Sequence, residues 1–258
     1  MSNLYFKQLA VIFDKMYQNF IDYREEYIFY SSVCKKFNAK KIVEIGCGSG
    51  NLAENFSREF DSYLGLDLSE DMLSIAKNKF PKGNFIKADM RNFLLPNLFD
   101  GALITGRSIS YLTDNTDLND TFLSISKNTN KDGFLVFDFI DAERFIPYLK
   151  VHPHVEHKSI VDSIEYTRKS TWHLIENEKV HLINWTADYY KLDENITIHL
   201  GTDESIFRAF TTKEITKYLK LNDYKIVELI DRKSYAFDTF VVVAIKSKKL
   251  ESLKGTIT

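Results

Sequence analysis

The chain of 258 residues is poor in the features that would mark several protein classes. It has two cysteines, Cys34 and Cys47. Two lone thiols without a repeated spacing build no disulfide framework and offer too few ligands for a zinc site, so they read as reduced passengers. Charge of one sign is not in excess: 34 Lys+Arg face 36 Asp+Glu, a formal charge of −2. That balance excludes an electrostatic nucleic-acid binder. Long apolar runs are absent too. The stretch 240–245 falls far short of the roughly 20 residues needed to cross a bilayer, so no membrane span is expected. The amino terminus has Tyr5, Phe6, Phe13 and Asp14 where a signal peptide would place a basic and then an apolar segment, and a cytoplasmic location is expected. With 44% hydrophobic and 27% charged residues, the composition is that of a soluble globular protein of one elaborated domain, or a domain plus subdomain.

Glycine is scarce as well, at ten residues, yet Gly46, Gly48 and Gly50 put three of them within five positions. The β-branched run Lys41–Ile45 precedes them, as a buried parallel strand would, and Leu52, Phe56 and Phe60 follow at helical spacing. The reading is strand, glycine turn, helix. The alternation repeats with a strand at Ser62–Asp67 and an N-cap at Ser69 before a helix whose Met72, Ala76 and Phe80 share a face. Further strands are expected at 84–88, 99–105 and 133–140, with an amphipathic helix carrying Leu118, Phe122 and Ile125 between the last two.

From about 152 to 210 the pattern becomes period-two and rich in Thr, Tyr and Ile, predicting antiparallel strands at 163–173, 179–190 and 195–210. Helical spacing returns after a Thr211/Glu214 capping box, and strands at 224–230 and Thr239–Lys246 close the fold. The expected architecture is α/β: a Rossmann-like, seven-stranded, mostly parallel sheet with helices on both faces, a final reversed strand and an antiparallel β insertion after strand 5. Residues 1–144 and 211–258 would form the core, and 145–210 a lid over the carboxyl edge of the sheet. The polar tail from Ser247 onward is expected to fray.

A glycine-rich turn between strand and helix suits any nucleotide-like cofactor. A dinucleotide fingerprint starting at Gly46 would need glycine at 51, where Asn51 stands. The run Val43-Glu44-Ile45-Gly46-Cys47-Gly48-Ser49-Gly50 instead resembles motif I of class I S-adenosyl-L-methionine (SAM)-dependent methyltransferases. Asp67 ends the second strand, where a carboxylate can accept from both ribose hydroxyls. Asp89 and Met90 end the third, where the family holds the adenine.

The likeness narrows to the nucleotide-linked amino-sugar N-methyltransferases through Phe13-Asp14-Lys15-Met16-Tyr17, Asp22-Tyr23, the stretch 62–72, Lys87-Ala88-Asp89-Met90-Arg91, and Phe210-Thr211-Thr212-Lys213-Glu214. The resemblance implies SAM as cofactor and S-adenosylhomocysteine as product. Cofactor-binding residues would be Tyr23 at the methionine carboxylate, Glu44, Gly46, Gly48, Gly50, Asp67, Met72, Asp89 and Met90. Tyr17 would lie near the transferred methyl, with Tyr111 helping to close the acceptor pocket. Tyr111 stands where the amino-sugar enzymes carry a histidine after the fourth strand, and a neutral phenol does not replace imidazole as a base.

The implied function is methyl transfer to a small-molecule acceptor, an amine on a sugar or similar metabolite, with no nucleic-acid or membrane partner; a homodimer is compatible. O- or carboxyl-methyl transfer and a non-catalytic SAM-binding regulator stay open. His152, His154 and His157 cluster, but no acidic or cysteine partner stands at a ligand spacing, so a solvated loop is expected and no metal. His199 faces the acceptor or solvent depending on a strand parity uncertain by one residue.

Overall fold

The computed structural model describes residues 7–177, 179–194, 196–234 and 237–247. Two helices come first, α1 (Lys7–Phe20) and α2 (Tyr23–Lys36). The alternating core follows: β1 (Lys41–Ile45), α3 (Ala53–Glu59), β2 (Ser62–Asp67), α4 (Glu70–Lys79), β3 (Phe85–Lys87), β4 (Phe99–Ile104), a 3-10 turn at Ser108–Tyr111, α5 (Asn115–Asn128) and β5 (Thr129–Phe139). Then come α6 (Ala142–Val151), β6 (His154–Val161), β7 (Ile164–Ile175), β8 (His181–Asp193) and β9 (Ile196–Ala209). The chain returns to the core with α7 (Thr212–Leu221), β10 (Tyr224–Arg232) and β11 (Thr239–Lys246). The tail from 248 lies outside the described residues.

The seven core strands run in the order β10-β11-β5-β4-β1-β2-β3, with β11 antiparallel to both neighbours and the other pairings parallel. This is the expected Rossmann-like sheet. Its parallel strands are short and apolar because both faces are covered. Val43 and Ile45 point to the side packed by Leu118, Phe122 and Ile125 of α5 and by Ile215 and Leu219 of α7. Ile42 points to the opposite side, with Val33 of α2, Phe56 of α3 and Ala76 of α4. Strand order reverses between β1 and β4, which opens a crevice above their carboxyl ends.

The insertion is a separate four-stranded antiparallel sheet, β6-β7-β8-β9. Two elements differ from expectation. The segment with His154 and His157 is strand β6, paired along its length with β7, not a solvated loop, and 142–151 forms a helix despite Pro147. The lid returns to the core by backbone bonds from Phe210 N–H to the Ile140 carbonyl (2.8 Å) and from Ala142 N–H to the Phe210 carbonyl (2.9 Å). Beside this junction the wholly buried Arg208 donates to Asn115 (2.8 Å) and Glu214 (3.0 Å) and lies over the Phe210 ring. The Thr211/Glu214 capping box then starts α7 as the sequence indicates. Cys34 and Cys47 are buried free thiols. No helix among the described residues is long and apolar enough to cross a membrane.

One glycine shows how tightly β4 meets β5. A Cβ at Gly101 would lie 2.1 Å from the Phe134 ring, a contact that rigid aromatic packing cannot absorb. Gly101→Ala is expected to destabilise the protein by about 1–3 kcal/mol through overpacking, read as a lower urea midpoint; an unchanged midpoint would contradict this packing.

Candidate functional site

The crevice above β1 and β4 is bordered by the glycine loop, and the loop is held by the strand beside it. Gly46 and Cys47 N–H both donate to the Leu66 carbonyl (2.7 and 2.9 Å), and Gly48 N–H donates to the Asp67 carboxylate (2.7 Å). Asp67 also accepts from Ser69 N–H (2.8 Å), which links the end of β2 to the start of α4. Gly46, Gly48 and Gly50 have φ of +75°, +53° and +70°, the left-handed region that side-chain-bearing residues rarely adopt. Space is short as well: a Cβ at Gly50 would sit 2.9 Å from the Cβ of Ala76.

These bonds bear on the ligand. The N–H groups of Gly46, Cys47 and Gly48 are used inside the fold, and that of Gly50 donates to the Cys47 carbonyl (3.0 Å). A loop that cradles phosphate turns such N–H groups toward the anion. Here the loop instead offers close backbone approach beside the buried Glu44 and the half-buried Asp67, which fits a cofactor without phosphate.

Glu44, at the end of β1, is buried and accepts from the Tyr63 hydroxyl (2.6 Å) and the Thr105 hydroxyl (2.8 Å). Burial raises its carboxyl to about 7 against the favourable action of those two donors. Burial also raises Asp67, opposed by the N–H groups of Ser69, Gly48 and Leu68. Met72 lies in the first turn of α4, and its terminal methyl would be 3.4 Å from a Cβ at Gly48.

The third strand end comes close by backbone pairing, since Ala88 N–H donates to the Asp67 carbonyl (3.0 Å). Asp89 beside it is engaged by Arg91 (Nη2–Oδ2 2.6 Å), which holds its carboxyl below the usual range, and Arg91 reaches on to Asp117 (2.9 Å). Met90 is half-buried against the α5 side of the core. Glu44, the three glycines, Asp67, Met72, Asp89 and Met90 thus gather along the carboxyl ends of β1, β2 and β3.

The tyrosines sit elsewhere. Tyr23 opens α2 and packs half-buried on the α2–α4 side of the core. Tyr17, on α1, stacks on Phe13 (centroids 3.9 Å apart) and accepts from Arg168 of β7 (2.6 Å). Tyr111 closes the 3-10 turn after β4, its ring 4.8 Å from Phe207 of β9. Strand pairing puts Arg168 and Phe207 on one face of the lid, where Arg168 opposes Tyr189 and Phe207 opposes Ile183. Arg168 and Phe207 each lie 5.9 Å from the Trp185 ring, so the two tyrosines meet this face on either side of Trp185. His199 takes the outer face, exposed and bonded to Asp188 (3.2 Å). Among the described residues no group of three or more His, Cys, Asp and Glu is arranged to hold a metal.

The sequence reading missed what docks α1 on the loop. Asp14 of α1 is buried and accepts from Ser49 of the glycine loop, from Lys79 of α4 (2.5 Å) and from Gln18 (2.9 Å). Asn51 completes the cluster, its Oδ1 accepting from Lys79 (2.6 Å). The available signal was Asp14 three residues before Tyr17, one turn apart on the helix.

Comparison with known proteins agrees with this geometry. Residues 42–133 match the family described as a methyltransferase domain. The fold built around that domain is the one seen in solved structures of SAM-dependent methyltransferases. In sequence, a 100-residue segment is 31% identical to dTDP-3-amino-3,4,6-trideoxy-alpha-D-glucopyranose N,N-dimethyltransferase of Streptomyces venezuelae, over 39% of this chain and 42% of that relative. The match therefore spans less than half of the relative's length. The fold is similar over nearly the whole chain to a SAM-dependent methyltransferase from Clostridium acetobutylicum (TM-score 0.75, 23% identity, 93% of this chain and 98% of the other). It is equally similar to SAM-bound CalS10, an amino pentose methyltransferase from Micromonospora echinaspora (TM-score 0.75, 18% identity, 95% of this chain and 99% of the other).

Glu44 yields a pH prediction. Its proton is held more tightly folded than unfolded, so its contribution to stability is complete below about pH 4.5 and is lost as pH rises through about 7. The loss is about 3 kcal/mol at most. Denaturant titrations of the ligand-free protein from pH 4.5 to 8 should show a decline that is absent in Glu44→Gln; equal slopes would rule out Glu44 as its source.

Proposed function

We propose that the protein transfers a methyl group from SAM to an amine on a nucleotide-linked sugar or a similar small metabolite. The observation that carries the cofactor half is the glycine loop itself, internally bonded, closely approachable and set beside Glu44 and Asp67. In this reading Gly46, Gly48, Gly50, Glu44 and Tyr23 serve the methionine end, and Asp67 accepts from the ribose hydroxyls. Met72, Asp89 and Met90 surround the adenine. Of the described residues, those before 145 and after 210 form the cofactor-binding core, and those of 145–210 the lid that excludes water.

When bound, SAM supplies an electrophilic methyl on a sulfonium. The chain's task is then to align an acceptor in line with that methyl and to keep solvent away. Tyr17 orients the acceptor, and Tyr111 with the lid closes over it. An amine already present as free base needs no strong base, and the site agrees with that requirement. His157, the imidazole closest to Tyr17's partner Arg168, has its Nδ1 placed 3.1 Å from the Arg168 guanidinium, and burial followed by that cation pushes its pKa down to about 4. Such a group is a poor base for a hydroxyl acceptor at neutral pH. The likeness to amino-sugar methyltransferases supports the same choice.

Calorimetry with S-adenosylhomocysteine tests the cofactor half. Binding is expected, and Asp67→Ala should weaken it by about 1.5–3 kcal/mol, the range for hydrogen bonds to a charged group. Unchanged affinity would remove Asp67 from the ribose contact. The acceptor half is tested by following labelled methyl transfer from SAM to a panel of dTDP-amino sugars, hydroxyl compounds and carboxylates. Label on an amino sugar supports the proposal; label only on oxygen would replace it with O-methyl transfer, and binding without turnover on any of them would favour a SAM-binding regulator. Tyr17→Phe should lower kcat and leave S-adenosylhomocysteine affinity nearly intact, because a lost positioning bond acts on the transition state. Equal loss of both would assign Tyr17 to the cofactor instead.

A further inference from the structure

By its place in the chain α1 goes with the cofactor-binding core, but its side chains pack elsewhere. Leu9, Ile12, Phe13, Met16 and Phe20 gather with Trp185, Ala187 and Tyr189 on the inner face of the lid sheet, and Met16 is 1% exposed there. Polar contacts fasten the same helix to the lid. Lys15 pairs with Asp162 (2.5 Å), Asn19 donates to Ser159 (2.5 Å) and to the Ile160 carbonyl (3.3 Å), and Arg168 donates to Tyr17. Toward the core the contact is of another kind. There Asp14 accepts from Ser49 of the glycine loop, from Lys79 of α4 (2.5 Å) and from Asn51 (3.3 Å), and Ser49 is 4% exposed beneath it.

An apolar cluster separates only at the cost of its buried surface, whereas a polar contact exchanges for water at a small net cost. The ions of the Asp14/Lys79 pair also regain hydration when they part. The seam between α1 and the lid is therefore the stronger one, and the seam between α1 and the glycine loop is the one that opens. The chain permits this movement. Only Ile21 and Asp22 join the end of α1 to the start of α2, and the lid is bonded back to the core near Ile140 and Phe210. A cavity of about 640 Å³ between the α1–α2 corner and Asn51 leaves that joint room to turn.

We propose that α1 and the lid sheet move as one unit, and that Asp14 is the positioning residue that latches this unit onto the glycine loop when the cofactor is seated. The inference rests on the reading of the glycine loop as the cofactor site. Opening at Asp14 uncovers the loop and admits the cofactor. A seated cofactor fixes the loop in the pose in which Ser49 meets Asp14, and the latch then carries the lid over the site. One contact thus links cofactor binding to the exclusion of water, and by reciprocity closure of the lid slows release of the cofactor.

Hydrogen exchange on the full chain, with and without S-adenosylhomocysteine, tests the proposal. In wild-type protein the ligand should slow amide exchange by about tenfold or more at 46–50, and alike in α1 and β8, because all three close together. In Asp14→Ala the slowing should persist at 46–50 and be lost from α1 and β8. S-adenosylhomocysteine should then dissociate about tenfold faster, the scale of one hydrogen bond to a charged group. Without ligand, α1 should exchange as slowly in Asp14→Ala as in wild type, since the lid still holds it, whereas Met16→Ala should speed its exchange. Asp14→Ala/Lys79→Met leaves no charge of the pair uncompensated and reads the same quantities where the single variant does not fold. Protection that still reaches α1 and β8 in the Asp14 variants would overturn the latch. So would an α1 released by Asp14→Ala in the ligand-free protein, the mark of a merely structural tether to the core. Protection of α1 without β8 would overturn the shared movement. If S-adenosylhomocysteine binds without slowing exchange at 46–50, the reading of the glycine loop fails and the latch with it, and the ligand-free comparison still decides whether α1 belongs to the lid.

Discussion

The bond from Gly48 N–H to Asp67 is the constraint on which the rest of the site depends. Two parallel strands paired side by side have no need to keep their following loops together, and here one carboxylate does so. It accepts from the loop after β1 and from the start of α4 after β2, so two turns share one anchor. The Leu66 carbonyl reinforces it by accepting two successive N–H groups of the loop. With the loop fixed, Ser49 projects toward α1 and meets Asp14, and the position of α1 then sets where Tyr17 can stand. Placement of the lid-facing tyrosine is thus traceable, contact by contact, to a bond beneath the cofactor loop.

Charge is distributed to keep those contacts in place. Asp14 is buried but has Lys79 as its partner, and the lysine is half-wrapped by the loop and α4, where burial lowers its pKa against the pull of Asp14. Removing one member of such a pair leaves the other desolvated and uncompensated, which costs more than the pair contributes. Arg232 and Glu26 form a comparable bidentate pair (2.8 Å for both bonds) that ties β10 to α2, with Phe29 under the guanidinium. Glu44 has no cation among the partners that hydrogen-bond it, and it escapes the same penalty by holding a proton up to about 7.

How legible each part was in the sequence follows from what determines it. β1, β2 and β11 have the boundaries expected from their apolar runs, because strands buried on both faces tolerate almost nothing else. The N-cap at Ser69 and the Thr211/Glu214 box are local chemistry and needed no tertiary context. β6 was invisible for the opposite reason. It is an edge strand reading His-Val-Glu-His-Lys-Ser-Ile-Val, polar at most outward positions, and what makes it a strand is its pairing with β7. α6 was hidden by Pro147, whose missing N–H costs one helical bond that the packing of Phe145 and Leu149 offsets.

The site divides along the same line. Residues at strand ends could be placed from sequence because the parallel fold carries all its carboxyl ends to one edge. The lid has no such rule. A strand shifted by one residue exchanges its faces, and the bulge at Tyr189/Tyr190 performs that shift inside β8 and β9, so His199 goes outward. The inner residues on that side are instead Gly201, Asp203 and Ser205, which face Tyr189, Ala187 and Trp185. Arg168 becomes an inner residue by the same register, opposite Tyr189. The histidine that composition offers for chemistry is therefore turned to solvent, while an arginine that looks like an ordinary surface charge in a Thr-rich strand is buried against α1. Register, which one bulge can invert, decides which side chains the second sheet turns inward and which it turns to solvent.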